Sequence, residues 1–155
     1  MNYSESFNVE FKQEFTPEIK KEVVAFANTQ GGTVYVGIGD KGQVVGVREA
    51  DKVLLQIVSS IRDSIRPDVT MYTECIVEEV KGSPVIKVSV QRGTDRPYYI
   101  AEKGLKPSGV YVRQGTASVP ASEDAIRRMI KETYGDKYEV VRSLNQELTF
   151  DFAKP

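Results

Sequence analysis

The 155-residue chain contains no histidine. That removes histidine general bases, histidine metal ligands and every Ser-His-Asp or Cys-His arrangement. It contains one cysteine, Cys75, so an internal disulfide is impossible and a zinc site built from cysteine and histidine is excluded. Cys75 sits in a strand-like run and reads as a small buried apolar residue in a reducing compartment, which places the protein in the cytoplasm. No apolar run reaches the ~18–20 residues that a membrane span needs. The opening MNYSESFNVE is polar and acidic, unlike a secretory signal. Excess positive charge is missing too. The formal net charge is −1, so the domain as a whole is not a strongly basic nucleic-acid binder, although a local basic face stays open. Internal repeats and low-complexity segments are absent. Any chemistry would fall to carboxylates, lysines or tyrosines, working with a hard cation such as Mg²⁺ or Mn²⁺.

What is present fits one globular domain: 40% hydrophobic and 28% charged residues in a chain of ordinary domain length. Ser6–Phe11 alternates, with Phe7, Val9 and Phe11 on one face, and predicts a short strand. Thr16-Pro17-Glu18 starts a helix whose residues Ile19, Val23, Phe26 and Ala27 form one apolar stripe. Asn28–Gly32 ends it. Val34, Val36 and Ile38 predict a central buried strand. Asp40-Lys41-Gly42 predicts a hairpin turn returning through Gln43–Val47. Ala50–Ile65 predicts a second helix with Leu54, Val58, Ile61 and Ile65 facing inward, closed by Pro67. Val69–Val80 and Val85–Val90 predict a second hairpin across Lys81–Pro84. Pro97–Ala101 and Gly109–Arg113 predict two short strands around the loop Glu102–Ser108. Ser122 caps a third helix carrying Ile126, Met129 and Ile130 inward. Glu139–Phe152 reads as a weak strand or extended tail. The expected fold is α+β: a single domain with a mixed, largely antiparallel sheet and about three helices. The expected core is Phe26, Val34, Val36, Ile38, Leu54, Val58, Ile61, Ile86, Val88 and Ile126.

Gly37-Ile38-Gly39-Asp40-Lys41-Gly42 matches GxGxxG by letter. The dinucleotide fingerprint needs a helix to follow, whereas Val44, Val45 and Val47 predict strand, so the glycines read as packing and turn residues. No GxxxxGK[ST] phosphate loop is present. Three acids attract attention: Glu5, Glu10 and Asp40. If the first and central strands are neighbours, these carboxylates can converge and hold Mg²⁺ or Mn²⁺ for phosphodiester cleavage. The plainer alternative leaves Glu5 solvated, pairs Glu10 with Lys12 or Lys20, and makes Asp40 a turn residue. Arg92, Arg96, Lys103, Lys106 and Arg113 lie among the tyrosines of the loops after residue 91, a mixture suited to phosphate and base contact.

Four strings occur in order: ESFNVEFK at Glu5–Lys12, EVVAFANTQGGTVYVGIGDKGQVVGV at Glu22–Val47, RPYYI at Arg96–Ile100 and GVYVRQGTASVPAS at Gly109–Ser122. Together they resemble the Schlafen AlbA-type domain, for which an older label is divergent AAA-type ATP-binding domain. The resemblance implies an Alba-related α+β fold over residues 1–135, with 136–155 leading toward a further region, in keeping with the abrupt end at LTFDFAKP. It implies a nucleic-acid-binding, DNA-directed N-terminal module of a transcriptional regulator or helicase-related protein. In vertebrate Schlafen nucleases three acids of this domain form a metal-dependent RNA-cleaving centre. By motif position they fall on Glu5, Glu10 and Asp40, so the alternative is a Mg²⁺- or Mn²⁺-dependent endoribonuclease. An ATP-binding regulatory domain is the further alternative. Whether the protein is an enzyme, binds DNA or RNA, or forms a homo-oligomer stays open at this point.

Overall fold

The computed structural model describes residues 5–144, the side chains of 136–144 excepted. Its centre is the strand with the clearest alternation, β2 (Gly32–Val36). On one side β2 pairs in parallel with β1 (Val9–Lys12), with Glu10 opposite Val34 and Lys12 opposite Val36. On the other it pairs antiparallel with β5 (Ser83–Val90). The outer strand is β4 (Thr73–Val80), giving the order β1-β2-β5-β4. Parallel neighbours need a crossover, and α1 (Ile19–Asn28) supplies it.

α1 and α2 (Ala50–Ser64) lie against one face of this sheet. Phe26, Val34, Val36, Ile57, Ile61 and Ile86 share the main core. Two small sheets complete the fold. β3 (Ile65–Arg66) pairs with β6 (Tyr99–Ile100), and β7 (Tyr111–Gln114) pairs with β8 (Ala117–Pro120). The β7–β8 hairpin packs on the far side of α1. That is why α1 is buried all round from Val23 to Ala27, not along a single stripe. α3 (Glu123–Leu144) follows, capped by Ser122, whose Oγ accepts from the Ala125 amide at 3.0 Å. The fold is thus α+β, with three α-helices and mixed, mostly antiparallel sheets among the described residues. None of these helices is long and apolar enough to cross a membrane.

Several expectations are corrected. Gln43–Val47 forms no ladder; only the single bridge Ile38–Val44 survives. Gly37, Gly42 and Gly46 take positive φ, and the Val45 and Gly46 amides both donate to Gly37 O, so the chain curls instead of running straight. The strand β8 was not anticipated; its hairpin turns through Gly115 at φ 63°. Tyr99–Ile100 pairs with Ile65–Arg66, not with the segment after the loop, to which it makes one bond, Ile100 N to Gly109 O. In α2, Ile57 and Ile61 are buried while Leu54 and Val58 are only half-buried, because the helix turns Ile57 toward the sheet and leaves Val58 at the rim beside β4. Ile130 is 36% exposed, since α3 packs on the β7 side through Ala125, Ile126 and Met129. Residues 139–144 continue α3 instead of forming a strand; 145–152 lie outside the described residues. Of the expected core, Phe26, Val34, Val36, Ile38, Ile61, Ile86, Val88 and Ile126 are buried.

Candidate functional site

Glu10 and Lys12 alternate with Phe11 along β1, so both face α1. Glu22 comes down from α1 on the buried side, 8% exposed. Arg113 reaches in from β7, and its side chain is 0% exposed. The Arg113 guanidinium is the hub. Nη1 donates to Glu10 Oε1 at 2.8 Å, to Ser118 Oγ at 3.1 Å and to Glu22 Oε1 at 3.4 Å. Nε donates to Phe7 O at 2.8 Å, and Nη2 to Ser6 O at 2.9 Å and Val9 O at 3.2 Å. The group also lies 4.8 Å from the centre of the Phe26 ring, a stacking that suits a planar cation. Lys12 Nζ closes the network, 3.1 Å from Glu22 Oε2 and 3.7 Å from Glu10 Oε2. Ser118 Oγ donates to Glu22 as well.

Burial holds the Glu10 carboxyl above its usual range; Glu22 adds to the rise and Glu5 adds less, against the opposing pull of Arg113. For Lys12 burial acts downward, but Glu22, Glu10 and Glu5 together carry the ammonium upward. A carboxyl raised in the fold favours protonation there. Its contribution to stability is fully present below the ordinary glutamate range and is lost as pH rises through the folded value. Glu10→Gln removes this dependence. Its melting temperature relative to the parent should therefore be higher at about pH 7 than at about pH 4. Calorimetric scans at both values check this, and a difference that does not change with pH would overturn it.

The structure brings two of the three candidate acids together. Glu5 lies close enough to influence Glu10, and its Oε2 accepts from the Phe11 amide at 3.0 Å. Asp40 lies exposed on the Gly39–Gly42 turn beyond the end of β2. The third carboxylate of the cluster is Glu22. The fit to a divalent cation fails on the donors present: Glu10 turns one oxygen to Arg113 and the other to Lys12. Among the described residues no three acids or thiols stand where they could hold a metal ion. Glu22 was missed by the sequence reading, though a signal existed: it is a charge three residues after Ile19 on an apolar stripe, and buried charges need partners.

The basic candidates divide. Arg113 is consumed by the network just described. Arg96 caps α1: Nη1 donates to Asn28 O at 3.5 Å, while Nη2 meets Glu132 at 3.3 Å. It thereby completes a set, because Ala25 O is met by Thr29 Oγ1, Phe26 O by the Thr29 and Gly31 amides, and Ala27 O by the Gly93 amide. All four orphan carbonyls of that helix end are satisfied, and a cation there suits the helix dipole. Arg92, Lys103 and Lys106 are exposed and make no ion pair among the described residues. Arg92 belongs to the loop at the C-terminal end of α1. Lys103 follows Glu102, which lies 3.9 Å from Lys20 near the other end. Lys20 and Asn28 are about 12 Å apart at 1.5 Å rise per residue, so the two basic loops flank one helix. Cys75 is half-buried against the core, its thiol pushed up to about 11 by burial and by Glu74; an unreactive thiol follows.

The fold is similar to the crystal structure of the DIP2311 protein from Corynebacterium diphtheriae, with TM-score 0.58 and 21% identity over 81% of this chain and 24% of that chain. This chain therefore spans about a quarter of the length of that one. It is also similar to the solution structure of the N-terminal domain of a Nitrosomonas europaea protein named as related to the ATP-dependent DNA helicase RecG. There the TM-score is 0.50 and the identity 28%, over 71% of this chain and 78% of that chain. The family model described as Schlafen, AlbA_2 matches residues 5–122, which runs from just before β1 to the cap of α3.

Proposed function

Because the chain belongs to the Schlafen AlbA_2 family, whose model matches residues 5–122, we propose that it is a cytoplasmic nucleic-acid-binding module, directed to DNA, from a transcriptional regulator or helicase-related protein. The observation that carries the reading is the set of exposed cations Arg92, Lys103 and Lys106, without ion pairs among the described residues, on two loops flanking α1. Phosphate contacts need cations that internal carboxylates have not already taken. The Nitrosomonas europaea relative, named for a DNA helicase, supports DNA as the ligand.

The test is a titration of labelled DNA, RNA and ATP side by side, with and without Mn²⁺. For about three phosphate contacts, the logarithm of DNA affinity should fall with the logarithm of salt at a slope of about −3. Arg92→Glu combined with Lys106→Glu should flatten that slope by about 2 without changing the melting curve. An affinity that ignores salt sinks the proposal. The second reading, a metal-dependent endoribonuclease using Glu5, Glu10 and Asp40, is favoured only by the approach of Glu5 to Glu10. Mn²⁺-dependent RNA cleavage abolished by Asp40→Asn would establish it in place of the first. Preferential retention of ATP would point to the regulatory reading instead.

A further inference from the structure

β4 is the outer strand of the main sheet, eight residues long, and among the described residues only β5 pairs with it. Tyr72 O accepts from the Gln91 amide at 2.7 Å. That makes 72 and 91 a hydrogen-bonded pair, and such pairs alternate along an antiparallel ladder. With Thr73 opposite Val90, the peptide groups of Glu74, Ile76 and Glu78 turn toward β5. Those of Cys75, Val77 and Glu79 turn outward, a row of donors and acceptors that β5 does not use, while the Thr73 amide already donates to Thr70 O.

The two sides of this edge differ. Toward α2 runs a groove of about 130 Å³ lined by Val58, Ile61, Arg62, Thr70, Thr73 and Cys75. It is mainly aliphatic, with Arg62 turned to Asp63 at 3.3 Å. On the opposite face the strand carries Glu74, Ile76 and Glu78. Ile76 is 41% exposed, and Glu78 Oε1 is out of reach of solvent without a hydrogen-bond partner. An edge beside a helix, with an apolar groove on one side and charge on the other, is the geometry by which domains capture an extended peptide as an extra strand.

We infer that the β4 edge is a docking site for an extended segment of another protein, aliphatic at alternate positions and basic at the positions between. The aliphatic side chains enter the groove beside Val58 and Ile61. The basic ones lie against Glu74 and Glu78. A second copy of β4 fits less well in the antiparallel register that sets Thr73 opposite Glu79 and Ile76 opposite itself, because Glu74 then lies opposite Glu78 twice, and like charges directly opposite are unfavourable.

The probe is a fluorescein-labelled capped peptide alternating valine and lysine over about the length of β4, followed by anisotropy against the full chain. The control carries the same residues in two blocks. The alternating peptide should bind at least about tenfold tighter than the block peptide and should slow amide exchange at Cys75, Val77 and Glu79. Val77→Pro removes one outward donor and no bond to β5, and should abolish binding. Should that variant fail to fold, Glu74→Lys combined with Glu78→Lys decides the matter, since it should reject the lysine peptide and accept a valine–glutamate one. Equal binding of both peptides, or binding unchanged in these variants, overturns the proposal. So does protection of these three amides in the free protein. Protection at all concentrations would assign the edge to residues 145–155 of the same chain, and protection that rises with concentration would assign it to a second copy.

Discussion

Arg113→Ala should lower the stability of the domain by about 3–5 kcal/mol, the cost of removing one partner from a buried ion pair. The guanidinium is wholly buried and serves two carboxylates, one hydroxyl, three backbone carbonyls and the Phe26 ring. Without it, Glu10 and Glu22 face each other with Lys12 as their only cation in the network, and the Phe7 carbonyl loses the Arg113 Nε donor, while those of Ser6 and Val9 keep the Val9 and Ser6 amides. Arg113→Lys should recover little, because an ammonium has neither the planar fork nor enough directed donors. Arg113→Met combined with Glu10→Gln and Glu22→Gln should recover a large part, because the carboxylates no longer need neutralising. Urea unfolding followed by circular dichroism checks the series. A loss below about 1 kcal/mol for Arg113→Ala would show that water replaces the guanidinium cheaply. The same variant separates two roles. A phosphate-contacting arginine would lower DNA affinity and leave the melt unchanged; a positioning arginine does the reverse, or lowers affinity only as the fold loosens.

That network marks the boundary of what could be read from the sequence. Val34, Val36, Val88 and Phe26 were legible because burial follows strand and helix periods within a few residues. The β4–β5 hairpin was legible from its Lys81-Gly82 turn, which takes φ 52° and 80°. Arg113 looked like a surface cation because its partners Glu10 and Glu22 lie 103 and 91 residues away in the chain. No local pattern records such a meeting. Val44, Val45 and Val47 promised a strand by propensity, but the backbone freedom of the glycines around them won. The helix α2 was placed correctly and its inward face was not, because Leu54, Ile57, Val58 and Ile61 offer two overlapping apolar stripes and only the position of the sheet chooses between them. Glu5 and Glu22 both influence Glu10, and Glu22, delivered by the crossover helix, carried no local sign of that meeting.

Asn28→Ala should cost about 2–4 kcal/mol and should loosen the Arg92–Arg96 loop. Asn28 is 4% exposed at the last turn of α1. Its Nδ2 donates to Tyr98 O at 3.0 Å and to Tyr111 O at 2.9 Å, and its Oδ1 accepts from the Tyr98 amide at 2.7 Å. One side chain therefore ties the helix end to the segment entering β6 and to β7. Alanine leaves an amide and two carbonyls without partners, each costing about 1–3 kcal/mol when water cannot reach it, and partial access for water reduces the sum. Asn28→Asp should be no better: it still accepts from Tyr98 N but sets a carboxylate against two carbonyl oxygens. The loop from Gln91 to Pro97 hangs between this anchor, the Gly93 amide on Ala27 O at 2.9 Å and the contact of Tyr72 Oη with Thr94 Oγ1 at 2.6 Å. Losing the anchor should therefore raise exchange at the Tyr98 amide by at least about tenfold, more than at amides of β2 and β5. DNA affinity should fall alongside, since Arg92 loses its fixed position while keeping its charge. Unchanged Tyr98 protection with weaker DNA binding would instead make Asn28 a contact residue, and unchanged values of both would show that the Gly93 and Thr94 bonds hold the loop without it.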